Sequence, residues 1–159
     1  MTRHLPALAL GAALALLPAA APAQDVVHGA DSLFVSPTVK LAWVVRRGAT
    51  EADTVVVVRI VAAEAAYRQI RVDGVDPFTK QHKAFVPTRP LDRETDVAIP
   101  RAQFAEHPST EFRFFASAED AAADKAKLTV FYLGVPDTTP EFAGQRDAEA
   151  YLARMLGPR

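Results

Sequence analysis

The chain has no cysteine among its 159 residues. That excludes disulfide bonds, thiol catalysis and cysteine-based metal sites together. It also excludes a lipid-modified cysteine behind the N-terminal apolar stretch. Stability must therefore come from a packed core. Tryptophan occurs once, and no charge sign is in large excess: 18 Lys and Arg stand against 19 Asp and Glu. That balance makes no electrostatic case for nucleic acid or an anionic membrane. After the N-terminal segment, no apolar run is long or uncharged enough to span a bilayer. Internal repeats are absent, and so are low-complexity tracts outside that first segment.

What is present begins with residues 1–23, which read as a secretory signal peptide. Thr2-Arg3-His4 is a short positive start, and Leu5 to Leu17 is an apolar stretch of mostly Ala and Leu. Ala21-Pro22-Ala23 then supplies a small-x-small cleavage pattern before Gln24. The stretch is shorter than the roughly 20 residues of a spanning helix. The chain is thus expected in the periplasm or secreted. Cleavage there leaves about 136 residues, the size of one domain. With Arg3 gone, 17 basic residues face 19 acidic ones, a net charge near −2.

The remaining pattern is β. Asp25 to Ser36 reads as an extended opening segment with a short strand at Leu33-Phe34-Val35. Thr38 to Arg46 alternates as a half-buried strand. Val39, Leu41, Trp43 and Val45 lie on one face, with Trp43 as a core anchor rather than a ligand platform. Thr54 to Ala62 is the strongest β signal and suits a hairpin with the preceding strand. Tyr67 to Val75 alternates again, with Asp73-Gly74 and Asp76-Pro77 read as turn breakers. Phe78 to Leu91 is less regular, an edge strand near Ala84-Phe85-Val86 followed by an irregular connection. Thr95 to Pro100 is a strand with Val97 and Ile99 inward, and Arg101 to Glu106 a helical turn carrying Phe104. Glu111 to Ala116 is a strand with Phe112 and Phe114 on one face. Glu119 to Lys125 is a loop or short helix.

Leu128 to Val135 is apolar on both faces, which places it inside a sheet as its final strand. Pro136 ends it, and Asp137-Thr138-Thr139-Pro140 is a turn that directs the tail. From Gln145 to Leu156, residues Ala148, Tyr151, Leu152, Met155 and Leu156 form one apolar helical stripe, and Gly157-Pro158 stops it. A helix this short is marginal alone in water, so it is expected to dock.

About seven strands with one convincing helix imply an antiparallel β-sandwich. Val97-x-Ile99, the turn with Phe104, Phe112-x-Phe114-x-Ala116 and the 128–135 strand resemble the late strands of immunoglobulin-like domains. The resemblance covers the last third of the chain and implies topology only, because fold does not carry function. The expected organisation is a signal peptide at 1–23, an immunoglobulin-like β-sandwich at 24–144 and an amphipathic helix at 145–159.

Chemistry is sparse by comparison. His28, His82 and His107 are isolated and read as solvated loop residues, so no metal ligand set is assigned. Ser32, Ser36, Ser109 and Ser117 lie in no Gly-x-Ser-x-Gly elbow. The acids Asp73/Asp76, Asp92/Glu94/Asp96 and Glu119/Asp120 read as solvated turn residues, without calcium-loop spacing. Arg68, Arg71, Lys80, Lys83, Arg89, Arg93 and Arg101 make a loosely basic middle with Phe78 and Phe85 interleaved.

The leading expectation is a non-enzymatic envelope module that binds a protein or glycan, with no catalytic residue and no cofactor. Its contacts are Lys80, Lys83, Arg89, Asp137, Thr138 and Thr139, with the C-terminal helix as a further candidate surface. It calls for a surface patch without a deep polar pocket; a pocket converging on His107 or His82 with several carboxylates would overturn it. The alternatives are a small periplasmic hydrolase or metal-handling protein using loop histidines, and a subunit that pairs edge strands into an assembly.

Overall fold

The computed structural model describes residues 23–27, 33–63, 66–107, 109–133 and 139–157. Residues 1–22 of the expected signal segment lie outside the described residues, as do His28, Ser32, Asp137 and Thr138. The protein is mainly β, with two largely antiparallel sheets and a short C-terminal helix.

The chain first forms β1 (Ala23–Val27), β2 (Leu33–Val35), β3 (Val39–Arg46) and β4 (Val55–Ala62). β5 (Gln69–Val75), β6 (His82–Pro90), β7 (Glu94–Pro100) and the one-turn helix α1 (Gln103–Glu106) follow. β8 (Ser109–Phe115), α2 (Ala118–Ala122), β9 (Leu128–Leu133), β10 (Glu141–Phe142) and α3 (Gln145–Leu156) complete the order. These ten strands exceed the seven expected, because the parallel additions β1 and β10 carry no alternating pattern of their own.

One sheet has the order β1-β9-β8-β5-β6, and the other β10-β3-β4-β7. The hairpin of β3 and β4 forms as expected, with Trp43 opposite Val58. The far edge of β3 is shared: β2 pairs with Lys40 to Ala42 and β10 with Val45 and Arg46. β9 is not the last strand, and it is interior because β1 adds along its outer edge.

Side chains from both sheets meet in one core. Val39, Leu41, Trp43, Val45, Val58, Ile60, Val97 and Ile99 come from one sheet. Ile70, Val72, Phe112, Phe114, Leu128 and Val130 come from the other. Phe104 of α1 closes one end, as the sequence led us to expect. Each such side chain contributes about 1.5–3 kcal/mol by leaving water.

Three further expectations change. β3 is buried on both faces, not one: Ala42 and Val44 join Val57, Ala148 and Leu152 in a second cluster beneath α3. Asp73-Gly74 is not a turn but the interior of β5. Gly74 is required there because a Cβ would overlap the Phe85 ring, which packs edge-on against Phe104 at 5.5 Å. β6 runs unbroken through Pro87, with register shifts opposite Arg71–Asp73. An edge strand accommodates proline because no partner needs its missing N–H.

Candidate functional site

Strand alternation brings a set of charged residues to the outer face of the β1-β9-β8-β5-β6 sheet. In β5 and β8 the inward residues are Ile70, Val72, Phe112 and Phe114, which turn Arg71, Asp73, Glu111 and Arg113 outward. The register then sets like against like. Arg71 lies directly opposite Arg113, and Asp73 directly opposite Glu111. Directly opposed like charges destabilise a sheet unless a counter-charge intervenes.

The arginine row has its counter-charge. Asp124 Oδ1 accepts from Arg71 Nη2 at 2.8 Å and from Arg113 Nη1 at 2.6 Å. Both guanidinium groups also lie over the Phe115 ring, at 5.7 and 5.8 Å from its centre. Asp124 reaches them from the turn after α2, where its φ of 57° is a conformation Asp tolerates better than most residues. Ser117 caps α2 by accepting from the Asp120 N–H, and Phe115 packs against Ala121 and Ala126, which fixes that turn. Burial opposes the Arg71 charge, but hydrogen bonds to Asp73 and Asp124 outweigh it, and its pKa is raised.

The carboxylate row is less completely matched. Asp73 is only 5% exposed at its side chain; both its carboxylate oxygens accept from Arg71 Nε, and Nη2 lies 3.1 Å from Oδ2 as an ion pair. Glu111 is 15% exposed and makes no hydrogen bond among the described residues. His82 of β6, 45% exposed, places Nδ1 3.7 Å from Asp73 Oδ2 and 3.8 Å from Glu111 Oε2. One donor atom from each of the three lies within 4.8 Å of the others. With Arg71, Arg113, Asp124 and Thr129 they line an open depression of about 420 Å³.

A second feature is the tip of the β5–β6 hairpin. Asp76 Oδ1 accepts from the Phe78 N–H at 2.8 Å and the Thr79 N–H at 3.2 Å. Lys80 closes the turn with φ 59° and donates its N–H to the Asp76 carbonyl. The Phe78 and Thr79 N–H groups hold the Asp76 carboxyl below the usual carboxylate range. The ordered turn presents Phe78 at 93% exposure. Lys80 and Lys83 lie beside it in sequence and are exposed.

The expected contact residues do not converge. Lys80 and Lys83 share the hairpin tip, and Lys83 faces Glu106 at 3.7 Å. Arg89 is exposed on β6, opposite Ile70 and roughly 20 Å along the strand from Lys83. Thr139 is buried beside the other sheet, just before β10, and cannot be a surface contact. The basic middle section disperses because Arg71 and Arg101 turn to acids, Arg101 pairing with Glu51 and Glu141.

Nor are the acids all solvated turn residues. Asp73 is buried in β5, and Glu94 and Asp96 of β7 hold Arg59 of β4, with Asp96 accepting two bonds at 2.8 Å. His82 is not a loop residue; it opens β6. The legible signal was the spacing Arg71-x-Asp73 and Glu111-x-Arg113, two charged outer faces of opposite order. Serine chemistry gains nothing: Ser36 and Ser117 hydroxyls serve local backbone groups, and the depression's one hydroxyl is that of Thr129. Comparison of the chain with protein-family models, with curated proteins and with solved structures finds no match.

Proposed function

We propose that the protein is an exported, non-enzymatic binding module of the cell envelope, an immunoglobulin-like β-sandwich that engages a protein or glycan through the β5–β6 hairpin tip. The observation that carries the binding role is Phe78, a large aromatic held almost fully in solvent by an ordered turn. An ordered aromatic loses little further freedom on docking, and aromatic residues are enriched among binding hot spots. Lys80 and Lys83 add positive charge beside it and suit a partner with an acidic rim.

The fold reading is supported by connectivity. In immunoglobulin lettering, β3, β4 and β7 take the places of A, B and E, while β5, β8 and β9 take those of C, F and G. β6 extends the second sheet beyond C, as C′ does. Export is supported by the sequence pattern that ends at Ala23, and cleavage there would start the mature chain at Gln24, the second residue of β1. Among the described residues, no helix is long and apolar enough to cross a membrane.

The convergence of Asp73 and Glu111 on His82, in a depression that Asp124 also lines, is the arrangement that stands against a purely non-enzymatic reading. It lies open across a sheet face rather than in a cleft, which favours the metal-handling alternative over the hydrolase one. At the β6 edge, Lys83, Pro87 and Pro90 obstruct strand addition, which disfavours edge pairing into an assembly there.

Site-specific photocrosslinking tests the binding role. A crosslinker at Lys80 is expected to give one discrete adduct in native envelope, weakened by Phe78→Ser. The same group at exposed Asp92 should give none. Failure to crosslink from Lys80, or an adduct indifferent to Phe78→Ser, overturns it.

A further inference from the structure

We propose that Asp73, His82 and Glu111 form a binding site for a divalent transition-metal cation, with Zn²⁺ the best fitted. The proposal stands apart from the partner-binding role of the hairpin tip.

Register supplies the first argument. Like charges face each other in two successive rows of the same sheet face, arginine on arginine and carboxylate on carboxylate. Asp124 bridges the first row by accepting from both arginines through one oxygen. Among the described residues the second row has only His82 between its carboxylates, at 3.7 and 3.8 Å and without a hydrogen bond to either. Arg71 serves Asp73 from the side, while Glu111 has no hydrogen bond among the described residues. A cation between the two carboxylates would do for that row what Asp124 does for the other.

Distance supplies the second. The His82 Nδ1 separations of 3.7 and 3.8 Å from the two carboxylate oxygens are too long for hydrogen bonds. They are close to the spacing of two ligands on one tetrahedral zinc, about 3.4 Å for bonds of about 2.1 Å. His82 Nδ1 thus stands from each carboxylate at about the separation of two ligands of one ion, and all three donor atoms lie within 4.8 Å of one another.

The donor set supplies the third. One imidazole nitrogen and two carboxylate oxygens suit a first-row divalent cation better than calcium, which takes six or more oxygens. Arg71 does not displace the ion. Arg71 reaches both Asp73 oxygens, including the Oδ2 that faces His82, but a carboxylate offers about four lone-pair sites, and His82 approaches from β6. Arg71 then acts as an outer-shell partner that orients its ligand. The positive charges of Arg71 and Arg113 are offset at short range by Asp124. Three protein ligands in an open depression leave further coordination positions facing solvent.

The test is Zn²⁺ titration of the purified, untagged protein by calorimetry, with bound metal counted by elemental analysis. One equivalent is expected, with a rise in Tm on loading. His82→Ala and Glu111→Gln should each weaken binding by about tenfold or more. Both alter partly exposed side chains, and circular dichroism verifies their folding; His107→Ala should bind as the parent does. No saturable binding overturns the proposal, as does an affinity unmoved by His82→Ala and Glu111→Gln.

Discussion

The outer faces of the two sheets solve the same problem in opposite ways. On the β3–β4 side, alternation puts Ala42, Val44 and Val57 outward, and α3 covers them with Ala148 and Leu152. On the β5–β8 side, the same alternation puts Arg71, Asp73, Glu111 and Arg113 outward, and no helix lies over the rows they form. α2 reaches only their rim, where it covers Phe115. The first face is held by burial and the second by matched charge. The second face gathers His82 and five charged side chains at close range, whereas the first holds the Arg59, Glu94 and Asp96 set beside α3.

The sharpest way to break this contrast is to damage the covered face. Leu152 is 1% exposed, and Leu152→Ala is expected to cost about 2–5 kcal/mol in denaturant unfolding. A loss well under 1 kcal/mol would mean that α3 only rests on β3.

The next test sets one buried-side ion pair against the other. Arg71→Met strands Asp73, a carboxylate 5% exposed, and should cost roughly 3 kcal/mol. Adding Asp73→Asn to that variant should recover much of the loss. On the covered side, Arg59→Met frees Asp96, which at 43% exposure stays hydrated, so the expected cost is below about 1 kcal/mol. Equal losses at the two arginines would erase the distinction between the faces.

The smallest effect concerns the hairpin tip and runs with pH. Bonds from the Phe78 and Thr79 N–H groups depress the folded-state pKa of Asp76. Its contribution is therefore complete above the ordinary value of 3.8 and lost as pH falls through the lowered folded value. The Phe78 and Thr79 amide resonances should report a titration midpoint below 3.8. A midpoint at or above that value would mean that the turn does not order Phe78.

Much of the fold was legible locally. The strands at Leu33–Val35, Val39–Arg46, Val55–Ala62 and Glu94–Pro100 follow from β-branched alternation, and α3 from its five-residue apolar stripe. The strands β1 and β10 were not legible. They pair in parallel with distant segments, and no local signal marks that. Asp73-Gly74 misled because a Gly that makes room for Phe85 looks in sequence like a Gly that makes a turn. The candidate site was the least legible part. Its ligands come from three strands; Asp73 and His82 were each judged against their sequence neighbours, which are not their spatial ones, and Glu111 was read only as the start of a strand.

By itself the sequence determined a cysteine-free β domain with an apolar core and a C-terminal helix stripe, because side-chain periodicity is a local property of the backbone. Tertiary structure alone decided that Asp73 faces Glu111, that Asp124 bridges Arg71 and Arg113, and that His82 stands beside two carboxylates. Register decides those encounters. A slip of one residue would send every one of these charges to the opposite face, and the core that forbids the slip is assembled from the whole chain.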